Sequence, residues 1–267
     1  MTANYYNLTH NPFDKDIPVG SAFLSNDHRE MVNRLNYLKE GCGIGVFTAP
    51  PGAGKTFALR CFREPLNPNL YDCLYICLST VSVMEFYRQF CMALGLEPCS
   101  RKSAMFHLIK DHLFKAKKEK RRTIIICLDE CQYLSYPILC DLSMLMNFNY
   151  DSFSAFALVL VGLPHFNNNL LKPINEPLRQ RIVIHYNYTG FSNAETAEYI
   201  FSRIESAGGA RSMIDEAAIT SIAGSCQGNP RTINMIMTSA LMLGAQMQKP
   251  SIDADTILAA SNAVALG

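Results

Sequence analysis

The stretch TAPPGAGKT, Thr48 to Thr56, decides how this chain folds. It carries the glycines and the Gly-Lys-Thr ending of a phosphate-binding loop, G-x-x-x-x-G-K-[ST], but Ala49 stands where the first glycine belongs. In such a loop the backbone N–H groups point inward and the following helix adds its positive end. Gly52 and Gly54 let the backbone approach phosphates with no Cβ in the way. Lys55 reaches the β- and γ-phosphates, and the Thr56 hydroxyl ligates Mg²⁺. Pro51, Gly52, Ala53, Gly54, Lys55, Thr56 and Phe57 are therefore the candidate nucleotide-binding residues. An alanine at the strand exit is tolerable while its φ stays negative, so the change weakens the formal match and not the chemistry.

The flanks agree with that reading. An apolar run, Ile44 to Thr48, precedes the loop, and a helical stretch to about Arg63 follows it. Tyr71–Leu78, Thr123–Leu128, Phe156–Val161 and Ile182–Tyr186 read as four more strands. Helical patterns over Val83–Leu94, Ala104–Lys118 and Ile138–Asn147 separate them. Alternating strands and helices predict an α/β fold, a five-stranded parallel sheet covered by helices. The third strand ends in TIIICLDE, residues 123–130. Asp129 at a strand's C-terminal end can hold Mg²⁺, and Glu130 beside it can polarise an attacking water.

After Gly190 only helical patterns remain, over Ser192–Ser206, Asp215–Gly224, Pro230–Met247 and Asp253–Ala263. The expected organisation is an extended N-terminal arm over residues 1–26, an α/β nucleotide-binding domain over 27–190, and a small all-helical C-terminal lid domain over 191–267. Asp27-x-x-Glu30 reads as a capping box that opens a helix. The Met-rich stretch INMIMTSALMLGAQM, residues 233–247, reads as core or as an adaptable partner surface.

Lys+Arg is 24 against 23 Asp+Glu, so no global charge draws the chain to nucleic acid or anionic lipid, and any such binding needs a local patch. The ten cysteines include no C-x-x-C and read as free thiols of a reducing compartment. No basic-then-apolar leader is present and no apolar run reaches the roughly 20 residues of a membrane helix, so a cytoplasmic protein with no membrane partner is expected.

APPGAGKT followed by IIICLDE resembles the AAA+ ATPases. GNPRTIN, residues 228–234, resembles their second sensor with its arginine, Arg231. LRQRIVIHY, residues 178–186, resembles the segment that carries the arginine finger, Arg179 or Arg181. YYNLTHNPF, DECQYL and VGLPHF resemble the ExeA-like branch. That branch includes the secretion ATPase ExeA and the DNA-transposition ATPases TniB, TnsC, IstB and phage Mu B protein. The resemblance implies a P-loop AAA+ fold, ATP and Mg²⁺ as ligands, and ATP hydrolysis. It assigns Thr56 and Asp129 to the metal, and Glu130, Lys55, Arg179, Arg181 and Arg231 to catalysis, with Arg231 also on the nucleotide. One position departs from the pattern: Leu163 stands where a first sensor is polar, with His165 or Asn167 as substitutes. Slow, assembly- or DNA-stimulated hydrolysis is the expectation.

Two roles follow from the resemblance. One is a transposition regulator that forms a homo-oligomer, ring or helical filament, on duplex DNA with ATP and recruits a transposase, hydrolysis driving disassembly. The other is an ExeA-type secretion or envelope-assembly ATPase, or a protein-directed switch without DNA. The ExeA-type protein joins this module to a membrane helix and a peptidoglycan-binding domain, and a chain ending at Gly267 favours the first role. Candidate contacts to the DNA backbone are Ser79 and Thr80 after the second strand, Arg101 and Lys102 beyond the next helix, and Lys117 and Lys118. The last two belong to KAKKEKRR, residues 115–122, with six basic residues and one acidic, which also suits the dipole at a helix C-terminus.

Overall fold

Each of the five apolar runs forms a strand: β1 (Gly43–Thr48), β2 (Tyr71–Cys77), β3 (Thr123–Asp129), β4 (Phe156–Gly162) and β5 (Ile182–Asn187). The computed structural model describes residues 2–77 and 82–265. In chain order the helices are α1 (Thr2–Tyr5), α2 (Asn26–Gly41), α3 (Lys55–Arg63), α4 (Val83–Ala93), α5 (Lys102–Lys118), α6 (Tyr136–Leu145), α7 (His165–Leu171) and α8 (Glu176–Arg179), then α9 (Asn193–Ser206), α10 (Glu216–Cys226), α11 (Pro230–Gln246) and α12 (Ala254–Ala265). They divide between two compact units.

The α/β unit comprises Glu30–Pro51 and Lys55–Tyr188. Its strands are all parallel, in the order β2-β3-β4-β1-β5. β3 and β4 are buried at every position, as interior strands covered on both faces must be. Strand alternation sorts the two faces. Ile124, Ile126 and Leu128 of β3 pack with Phe86, Phe90, Ile109 and Leu142 of α4, α5 and α6. Ile125 and Cys127 point the other way and pack with Met31, Leu35 and Leu38 of α2 and Ala58, Leu59 and Phe62 of α3. Asp129 continues the second series, so its side chain emerges on the face where α3 begins.

The helical unit holds residues up to Arg29, Gly52–Gly54 and everything from Thr189 on. Ile200, Ile204, Ile222, Ile233, Met237 and Ile257 form its core. Ser192 opens α9 with a reciprocal capping box, accepting from Glu195 N at 3.2 Å and donating its own N–H to Glu195 Oε2 at 2.9 Å, which contributes about 1 kcal/mol. α11 settles the Met-rich stretch: Ile233, Ile236, Met237, Ala240 and Leu241 are buried, while Met235, Met242 and Met247 are exposed.

The N-terminal segment differs from the sequence reading. Residues 1–26 are not simply an extended arm. Tyr6, Leu8 and Phe13 are buried in the helical core, Thr9 N donates to Ala207 O at 2.9 Å, and the buried Arg203 Nε donates to Pro12 O at 2.7 Å. A small helical unit gains from every added anchor because its surface-to-volume ratio is high. Ser25 Oγ accepts from His28 N at 3.2 Å, and Glu30 pairs with Arg34 at 3.1 Å. Asp27 is buried and accepts from Thr189 N at 3.0 Å and Gly190 N at 2.9 Å.

Candidate functional site

β1 hands over to α3 through the glycine-rich loop. Ala49 keeps a negative φ and is buried, so its Cβ costs nothing there. Gly52 and Gly54 take φ of +82° and +92°, where a side chain is strained. Gly52 groups with the helical unit, and a Cβ on it would lie 2.5 Å from Arg231 Cβ and 2.9 Å from Asn229 Oδ1. Asn229 caps α11 by accepting from Arg231 N at 3.0 Å, and Arg231 sits exposed in the first turn. Lys55 opens α3, and its buried ammonium donates to Ala49 O at 2.8 Å and Pro50 O at 3.0 Å.

The second half of the site comes from β3. Asp129 Oδ2 accepts from the Thr56 hydroxyl at 2.8 Å and from the Tyr75 hydroxyl of β2 at 2.9 Å. Burial and the Asp129 carboxylate both raise the Tyr75 pKa, so this hydroxyl remains a donor across the physiological range. Glu130 follows with left-handed backbone, φ 59° and ψ 37°, and its N–H donates to Asp129 Oδ1 at 2.8 Å. That conformation is uncommon for a residue other than glycine. Gln132 Nε2 donates to Glu130 Oε2 at 2.5 Å, and Gln132 Oε1 accepts from Leu163 N at 3.1 Å.

A polar cluster joins the exits of β1 and β5. Asn187 Oδ1 accepts from the Thr48 hydroxyl at 2.5 Å and from Asn167 Nδ2 at 2.9 Å, and His185 Nε2 lies 2.9 Å from Asn167 Oδ1. Asn167 is therefore engaged in this cluster, whereas His165 is exposed.

Loop, hydroxyl and carboxylate fit a Mg²⁺–nucleotide. Two glycines hold conformations that favour no other residue, and a hydroxyl and a carboxylate oxygen converge within 2.8 Å, as an oxygen-liganded metal needs. No cluster of three or more His, Cys, Asp or Glu side chains that could hold a metal exists among the described residues.

The remaining sequence candidates are placed as follows. Arg179 donates to the C-terminal carbonyls of α7, Leu171 O at 3.1 Å and Leu170 O at 3.4 Å. Arg181 pairs with Asp151. Arg101 is exposed, whereas Lys102 pairs with Asp141 at 2.6 Å. Lys117 donates to the Thr123 hydroxyl at 2.8 Å, and Lys118 lies over the Phe153 ring. Ser79 and Thr80 lie outside the described residues. Sequence reasoning missed Tyr75, Asn187 and the role of Gln132. The only signal for Tyr75 was its parity with Asp129 on neighbouring parallel strands.

Comparison with known proteins agrees with this geometry. Residues 38–170 match the family described as "AAA domain". General secretion pathway protein A of Aeromonas hydrophila is 27% identical over 245 residues, which cover 91% of this chain and 44% of that protein. The chain thus spans under half the length of this relative. Among solved structures, Cdc6p of Pyrobaculum aerophilum superposes with a TM-score of 0.69 at 17% identity, covering 90% of this chain and 67% of that one. The Aeropyrum pernix ORC1 protein, solved in complex with DNA, has a TM-score of 0.68 at 15% identity, covering 95% and 68%. The parallel five-stranded sheet with its flanking helices matches the fold of these P-loop AAA+ structures. No helix among the described residues is long and apolar enough to cross a membrane.

Proposed function

We propose that this AAA-family chain is an ATP-hydrolysing switch that assembles on duplex DNA. The observation that carries the enzymatic part is the convergence of Thr56 and Asp129 beside the buried Lys55, at the loop end of a parallel sheet. Lys55 exchanges its two loop carbonyls for phosphate oxygens. Thr56 and Asp129 would hold Mg²⁺, which would supply charge neutralisation on the phosphates. Glu130 accepts the proton of the attacking water. Arg231, at the start of α11, contacts the nucleotide, and Arg179 or Arg181 of a neighbouring subunit completes the site. Hydrolysis then depends on assembly.

The DNA-directed part draws on the fold. Proteins of this architecture include one solved in complex with DNA, and the ExeA-like resemblance extends to ATPases that act with a transposase. Contacts would fall on phosphates and tolerate any sequence, with Arg101 the most exposed of the described candidates. A second reading rests on the 27% identity to the secretion pathway protein: a switch directed at a protein partner in envelope assembly.

Fluorescence anisotropy of a labelled duplex separates them, titrated at fixed salt with ATP, with ADP and with no nucleotide, and with Lys55→Ala as control. Tight cooperative binding with ATP alone, lost in Lys55→Ala, is expected. A chain that binds and hydrolyses ATP yet ignores DNA in every state refutes the DNA reading in favour of the protein-directed one.

A further inference from the structure

We infer that Gln132 is a positioning residue for the Glu130 carboxylate and takes over the place that Leu163 leaves apolar at the exit of β4. The inference rests on the ATPase reading of the site and adds a residue to it.

Gln132 lies in the single 3-10 turn, Cys131–Tyr133, that follows β3, and it is 8% exposed. Both ends of its amide are in use. Leu163 contributes a backbone N–H, which can only donate, and Glu130 contributes a carboxyl oxygen, which accepts. The amide therefore has one orientation, Oε1 toward Leu163 N at 3.1 Å and Nε2 toward Glu130 Oε2 at 2.5 Å. The neighbouring glycine leaves room for it: a Cβ on Gly162 would lie 3.1 Å from Gln132 Oε1 and 3.4 Å from Gln132 N. At its other end Glu130 is fixed by left-handed backbone and by the bond from its N–H to Asp129 Oδ1. Carboxylate and backbone are thus held separately, and the second hold is the carboxamide.

The topology explains why the amide is needed there. β4 lies between β3, which carries Asp129, and β1, which leads into the loop. The exit of β4 is therefore the place from which a polar group can address both halves of the site. Leu163 offers only its backbone at that point, and Gln132 reaches it from the turn that follows the adjacent strand. A base acts on water only when its oxygen is held in line, and a misplacement near 1 Å costs about 100-fold in rate. Removing the amide frees the Glu130 side chain and leaves Leu163 N–H without this acceptor, while Lys55, Thr56 and Asp129 keep their partners.

The test uses the full chain and measures phosphate release from Mg²⁺–ATP, with single-turnover reactions for the slow variants. Wild type, Glu130→Gln, Gln132→Ala, the double variant and Gln132→Glu are compared, each after a thermal melt. Gln132→Ala is expected to lower kcat about 10- to 100-fold and to leave KM for ATP within about twofold. The double variant should be no slower than Glu130→Gln, because the amide acts only through that carboxylate. Gln132→Glu keeps an oxygen for Leu163 N but sets a second carboxylate against Glu130, so it should fall at least as far as the alanine variant. That variant also decides the matter if Gln132→Ala melts early. Gln132 variants as fast as wild type, or a double variant slowed further by the full single-variant factor, overturn the inference while the ATPase reading stands. A wild-type chain without ATPase activity, or Glu130→Gln as fast as wild type, overturns the ATPase reading and this inference with it.

Discussion

The two ends of the sheet are both polar, and they differ in what their polar groups bond to. At the C-terminal end the bonds join distant parts of the chain. Thr56 and Asp129 are 73 residues apart, Tyr75 and Asp129 54, and Thr48 and Asn187 139. At the N-terminal end the basic run has both near and distant partners, at the solvent edge. Lys117 reaches Thr123 six residues on, and Arg122 pairs with Asp72 of β2 at 3.5 Å with both side chains more than a third exposed. An exposed pair of that kind contributes little. Polar side chains brought together from different elements are held there by the whole fold. Convergence of that kind marks a functional site, and a dense cluster of charge by itself does not.

The comparison is most exposed at Asp129. Asp129→Asn keeps the shape and removes the charge that two hydroxyls and the Glu130 N–H address. Mg²⁺-dependent hydrolysis is expected to fall at least ~100-fold, the scale of losing one preorganised electrostatic group. The thermal midpoint should change little, because Glu130 N–H keeps the amide oxygen and the Thr56 and Tyr75 hydroxyls can turn to accept from the amide nitrogen. Steady-state phosphate release against free Mg²⁺ reads the first, and a melt reads the second. Retained hydrolysis would show that the convergence at the C-terminal end has nothing to do with chemistry.

Tyr75 gives a smaller and sharper test. Its hydroxyl is the second donor to the oxygen that Thr56 also uses, and partners of a metal ligand usually count for 10–100-fold in metal affinity. Tyr75 is 41% exposed, so water can replace much of what is lost and the low end applies. Tyr75→Phe should raise the Mg²⁺ concentration for half-maximal hydrolysis about 10-fold and leave the rate at saturating Mg²⁺ nearly unchanged. A lowered saturating rate with an unmoved Mg²⁺ requirement would make Tyr75 part of the packing only.

What was legible in the sequence follows the same division. Strand parity, glycine spacing and the acidic pair after an apolar run are local, and they located the loop and Asp129 before any coordinates. Ala49 was readable too, since a negative φ at a strand exit is a local property. The bonds from the Asp27 carboxylate to N–H groups over 160 residues away lie beyond what a local capping rule can see. The anchors Tyr6, Leu8 and Phe13 had no period to betray them. Tyr75 and Gln132 acquire their roles only once β2, β3 and β4 lie side by side, and nothing in YICL or DECQYL states that order.

The smallest expected effect concerns the basic run. If its lysines serve the helix end, Lys117→Ala with Lys118→Ala should leave ATP hydrolysis unchanged. The stability cost should stay near 1 kcal/mol, the value of one neutralised local hydrogen bond and a surface ring contact. The decisive reading is the salt dependence of duplex affinity. Each lysine that neutralises a phosphate adds close to one to the slope of log K against log salt. The double variant should therefore keep the wild-type slope. A slope reduced by about two would mean that both lysines leave Thr123 and the Phe153 ring for the DNA backbone, and the N-terminal end of the sheet would then be a second functional surface.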